Sequence, residues 1–120
     1  MTLQNLLGLS LDAVAPDKAH IGKLMAAAER NIADAKLQGL STENRFDAAY
    51  KAIMQLAMVA LNANGYRTMT SKPGHHQTAI QTLSTSVDLA PAKVILLDAL
   101  RKQRNLSAFR HACAFALAPR

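Results

Sequence analysis

The chain has 120 residues, a net charge of +6 and a single cysteine. That length suits one domain with a core that needs no staples, and Cys113 alone excludes a disulfide framework and fits a reducing compartment. No basic segment precedes an apolar stretch at the start, and the apolar runs fall short of the roughly 20 residues that cross a bilayer, so a cytoplasmic protein with no membrane partner is expected.

Helical periodicity dominates the reading. After a short apolar arm around Leu3, Leu6, Leu7 and Leu9, Pro16 and Asp17 mark a helix start. Its apolar stripe runs through Ile21, Leu24, Met25, Ala28, Ile32 and Ala35 and stops at Gly39. Ser41 caps a second helix with Phe46, Ala49, Tyr50, Ile53, Ala57, Ala60 and Leu61 inward, closed by Asn64 and Gly65. Residues 65–74 carry loop signals. A third helix is expected over 75–86, with Ile80, Leu83 and Val87 inward. Asp88 and Pro91 open a fourth through Val94, Leu97 and Leu100 toward Arg104. Asn105 and Ser107, weak helix formers, end it and cap a last turn-rich segment, 108–117. The pattern predicts an all-α antiparallel bundle of four to five helices in one domain spanning residues 1–120.

Charge is unevenly placed. Residues 1–90 hold eight basic and seven acidic side chains; residues 91–120 hold Lys93, Arg101, Lys102, Arg104, Arg110 and Arg120 against Asp98 alone. A cationic tail of this kind favours an anionic partner, nucleic acid first and an acidic protein surface second. Phe46, Tyr50, Tyr66, Phe109 and Phe115 are too few for a base-stacking platform, so contact with nucleic acid would rest on phosphates.

Within that tail, Arg104 offers a planar fork of donors for a phosphate, Asn105 an amide, and His111 an imidazole that titrates near neutrality. On a helix, Arg104 and His111 share a face but stand about 10 Å apart along the axis, so a second chain would have to bring the complementary group. Two readings are open: phosphodiester chemistry without a metal, or a solvated basic helix end with His111 on the helix dipole.

The remaining candidates have plainer explanations. His75 and His76 diverge by about 100° on a helix and cannot easily share a metal, and no ligand constellation implies a cofactor. They read as polar residues at a helix start, one of them buried and hydrogen-bonded. His20 sits in the first turn of its helix in an exposed or locally bonded role. Lys72, Pro73 and Gly74 lack the flanking pattern of a phosphate loop. Asp47 and Tyr50 can neighbour each other on the second helix, as a solvent-facing acid beside a core aromatic. Cys113 packs, and the stripe Phe109, Ala112, Cys113, Ala116 and Leu117 is either a closing turn or a dimer surface.

The run NRFDAAYKAIMQLAMVALNANGYR at 44–67, followed by GHHQTAIQTL at 74–83, resembles the central helix pair of HEPN domains, four-helix bundles that bind nucleotides or cleave RNA. The later RKQRN at 101–105 is similar to the Arg-plus-polar element that opens the family's functional motif, in which an Arg and a His enclose roughly four to six residues. Arg104 and His111 enclose residues 105–110. The resemblance covers about residues 17–111. It implies a homodimeric, toxin-like, metal-independent endoribonuclease in which His111 takes the proton of a ribose 2′-hydroxyl, Arg104 stabilises the phosphorane and Asn105 orients the phosphate or the Arg. Arg101, Lys102 and Arg110 would hold RNA, the products would be 2′,3′-cyclic phosphates, and one of His75 and His76 would be free to face the cleft. The alternative is a non-catalytic module that binds nucleotide, nucleic acid or a partner protein such as a nucleotidyltransferase or an antitoxin.

Overall fold

The computed structural model describes the backbone of residues 2–71 and 73–117 and the side chains of residues 2–71 and 73–106. A 3-10 turn, Leu3–Leu6, leads into strand β1, Leu11–Ala13. Helix α1 spans Lys18–Ala35 and α2 spans Thr42–Ala63. Strand β2, Tyr66–Thr68, and helices α3, His75–Gln81, α4, Leu83–Ser86, and α5, Pro91–Leu117, complete the chain. The molecule is mostly helical, and among the described residues no helix is long and apolar enough to cross a membrane.

Local chemistry sets the helix ends. The Asp17 carboxylate accepts from the amides of Ala19 and His20 at 3.0 and 3.2 Å, and Ser41 Oγ accepts from Asn44 N at 3.1 Å. Three further bonds hold α1 and α2 antiparallel. Asp17 N donates to Asn62 Oδ1, Asn31 Nδ2 to Gln55 Oε1, and Arg45 Nε to the last carbonyl of α1, Ala35 O, at 2.9 Å. Residues 45, 48, 52 and 55 therefore form the α2 stripe that meets α1, and Ala48 and Ala52 with Ala28 let the backbones approach closely.

Four expectations are corrected. The mostly helical fold is compatible with the all-α expectation, but part of the 65–74 loop is a strand: β1 and β2 pair antiparallel, with Leu11 opposite Thr68 and Ala13 opposite Tyr66. Strands of three residues are too short to show a period of two. Gly65, at φ +90°, turns the chain out of α2 into this sheet. The helix over 75–86 is broken at Thr82, whose hydroxyl donates to Thr78 O at 2.9 Å and Ala79 O at 3.1 Å, a local bond that competes with the helical ladder. Asn105 and Ser107 do not end a helix, because α5 runs through both; their propensity cost of a few tenths of a kcal/mol is outweighed by an unbroken run of backbone bonds. Of the α1 stripe only Ala28 is buried, while Met25 and Ile32 stay exposed because α1 packs mainly along one neighbour.

The core lies on the opposite face of α2. Tyr50, Met54, Ala57 and Leu61 pack against Ile80 and Leu83 of the α3–α4 pair and Leu11 of β1, with Val94 and Leu97 of α5 at the margin. The α2, α3 and α5 backbones thus converge around Tyr50.

Candidate functional site

Asp47 and Tyr50 are three residues apart on α2, which stacks them on one face. Tyr50 is 3% exposed, and a buried phenol needs a partner for its hydroxyl. Here Tyr50 Oη lies 3.2 Å from Nδ1 of His76, the second residue of α3. From α5, the Arg104 guanidinium carbon sits 5.1 Å from the Tyr50 ring centroid, a cation–π distance, and Arg104 Nε stands 3.9 Å from Asp47 Oδ1. The Asp47–Tyr50 pair thus grips one guanidinium by charge and by ring face. Both Arg104 and Asp47 remain more than one-third exposed, so solvent screens their ion pair, and 3.9 Å is too long for a hydrogen bond.

One turn earlier on α5, Arg101 Nε donates to Asp98 Oδ1 at 2.8 Å, with the two side chains 14% and 15% exposed. This hydrogen bond holds the Asp98 carboxyl below its ordinary range, and Lys102 Nζ reaches the other oxygen at 3.6 Å. Arg101 is therefore committed to Asp98 and acts on the junction chiefly through its charge.

The His76 ring meets the His75 ring edge-on at 4.5 Å between centroids. Burial lowers the His76 pKa, and His75, Arg104 and Arg101 lower it further. Burial pushes the Tyr50 phenol up, against the pull of Arg104 and Arg101. At neutral pH the phenol is protonated and the imidazole uncharged. The bond is then made either by the phenol donating to Nδ1 or by Nδ1–H donating to the phenol oxygen, according to the tautomer.

Of the residues singled out in the sequence, Arg104 lies in this cluster, and Arg101 and Lys102 lie on Asp98 beside it. Asn105 is exposed, one position and about 100° further round α5, and is not brought to Tyr50 or His76. Arg110 and His111 lie on the α5 backbone, but their side chains fall outside the described residues, as do those of Ala112, Cys113 and the rest of the apolar tail stripe. Sequence reasoning expects a core aromatic at Tyr50 and one hydrogen-bonded histidine of the pair at the start of α3, but not that the two are each other's partners. The one legible signal of that contact was a tyrosine on the buried stripe of α2, whose hydroxyl required a partner from elsewhere in the chain. The resulting arrangement can bind an anion: one guanidinium whose donors make no hydrogen bond among the described residues, a neutral imidazole, and a second cation nearby. No protein-family model, no curated protein and no solved structure matches the chain, and the chemistry of the site follows from its own residues.

Proposed function

We propose that the chain is a HEPN-like helical module that engages RNA through the cationic face of α5 and acts as a metal-independent endoribonuclease. The observation that carries this reading is the grip on Arg104: a guanidinium held against Tyr50 beside a screened carboxylate is positioned for a phosphate. Arg104 stabilises charge on the scissile phosphate, Asn105 supplies an amide from the solvent side, and His111 removes the 2′-hydroxyl proton. Because α5 is continuous, Arg104 and His111 of one chain stand about 10 Å apart along the axis, so catalysis is assigned to a two-fold dimer in which one chain's histidine serves the other chain's arginine. Ile95, Leu96 and Leu106, all exposed on α5, offer apolar surface for such pairing.

The same continuity of α5 favours a second reading, a non-catalytic RNA- or partner-binding module that needs the cations alone. Cleavage of a labelled single-stranded RNA in EDTA separates the two. The nuclease reading expects cyclic-phosphate products and a loss of roughly 10²-fold or more in Arg104→Ala and His111→Ala, with circular dichroism unchanged. Salt-sensitive binding with no cleavage across a range of RNAs supports the binding module.

A further inference from the structure

We propose that His76, Tyr50 and Arg104 form a phosphate-binding site at the junction of α2, α3 and α5, in which His76 takes up a proton from solvent when the phosphate binds. The proposal rests on the RNA reading above only for the source of the phosphate.

The geometry supplies the parts. Tyr50 is buried, and its hydroxyl is hydrogen-bonded to His76 Nδ1, 3.2 Å away, which fixes the ring. The Arg104 guanidinium stands over the ring of the same tyrosine, so the imidazole and the guanidinium are held by one rigid side chain. The only acid in reach of Arg104 among the described residues, Asp47, is half exposed and 3.9 Å distant, and an anion can compete with it for the guanidinium. Asp98 is saturated by Arg101 and Lys102 and does not oppose an anion with a free charge.

The proton follows from the charges around His76. On α3 its neighbour is His75; on α2 it meets Tyr50, with Asp47 behind Arg104; on α5 it feels Arg104 and Arg101. On β2, Arg67 is turned to Asp12 at 3.9 Å. The α5 cations disfavour imidazolium in the free protein. A phosphate seated against Arg104 offsets that repulsion and adds an attraction of its own, which raises the His76 pKa in the complex while burial still opposes the charge; the added proton enters on the ring nitrogen that is bare in the neutral imidazole, and where that is Nδ1 the Tyr50 hydroxyl turns from donor to acceptor. Binding and protonation are then coupled, each strengthening the other by the same factor. Within a single chain this site brings an imidazole and Arg104 onto the same tyrosine, which α5 alone does not do.

The test is an NMR titration of the histidine ring protons in the full chain, with the His76 resonance assigned through His76→Asn. Three probes are used: inorganic phosphate, adenosine 3′-monophosphate and the dinucleoside monophosphate ApA. The expected result is an upward shift of the His76 midpoint by about one pH unit on saturation, a tenfold coupling, lost in Arg104→Gln and absent at His20. A response to the monoester alone identifies a nucleotide or an RNA end as the ligand, and a response to ApA an internal linkage. A midpoint unmoved by all three probes overturns the proposal, as does an equal shift in Arg104→Gln or with sodium chloride at matched ionic strength. Cleavage that depends on His111 while the His76 midpoint ignores phosphate overturns this site and leaves the nuclease reading. A responsive His76 in a protein that cleaves no RNA does the reverse.

Discussion

Tyr50 Oη and His76 Nδ1 stand 3.2 Å apart, a contact that ties the middle of α2 to the start of α3 and holds the imidazole in its part-buried place. The unfolded imidazole takes its proton near the ordinary value of 6.5, while the folded one resists it through burial and the neighbouring cations. Acid therefore favours the unfolded chain. Stability should fall as pH drops through about 6.5, with the loss complete once pH lies below the folded value. Urea denaturation of wild type and His76→Asn between pH 7.5 and about 5 checks this: the variant should show a flatter profile, and parallel profiles would contradict the assignment to His76.

Asp98 and Arg101 are each about one-seventh exposed and joined at 2.8 Å, so removing Arg101 leaves Asp98 only the exposed Lys102, 3.6 Å away. Arg101→Met should cost about 1–3 kcal/mol in chemical denaturation at pH 7. The lowered Asp98 pKa contributes stability that is present above the ordinary carboxylate value of 3.8 and is lost as pH falls through the folded value. The cost of Arg101→Met should shrink accordingly in acid.

RNA affinity should fall steeply with salt, because phosphate contacts release counterions. Reversal of Lys93, exposed in the first turn of α5, should change affinity little. Reversal of Arg104 should weaken binding and reduce the slope of log affinity against log salt by about one. Equal effects from the two, measured by fluorescence anisotropy, would place the RNA elsewhere.

Gly65 turns from α2 to β2 at φ +90°, a region that costs an L-residue about 1–2 kcal/mol. A Cβ there would meet only Val14 O at 3.6 Å, an ordinary contact. Gly65→Ala should therefore destabilise by that backbone term alone, read as a lower denaturation midpoint with an unchanged slope.

A tight pairing of the α5 apolar residues predicts concentration-dependent association. Light scattering at tens of micromolar should report a dimer, and Ile95→Lys should return it to a monomer without loss of helicity. A wild-type monomer at that concentration would remove the shared site from the nuclease reading.

The helices were legible wherever a short-range rule governs them. Asp17 and Ser41 are caps because a side-chain oxygen reaches an amide two or three residues on, and Gly65 closes α2 because φ must turn positive. The cationic bias of α5 is likewise a property of the chain itself. Tertiary structure decided the rest. β1 and β2 exist only because residues 11–13 and 66–68 satisfy each other's backbone groups, and neither segment carries a pattern of its own. Asn105 and Ser107 stay helical inside a long cooperative ladder that their individual propensities oppose. Above all, which cation meets which ring depended on three helices converging: Arg104 lies on Tyr50 while Arg101 is spent on Asp98, two fates for the same side chain one turn apart. Sequence spacing orders residues along one helix, but the contacts that tune His76 cross between helices, where only packing sets the distances.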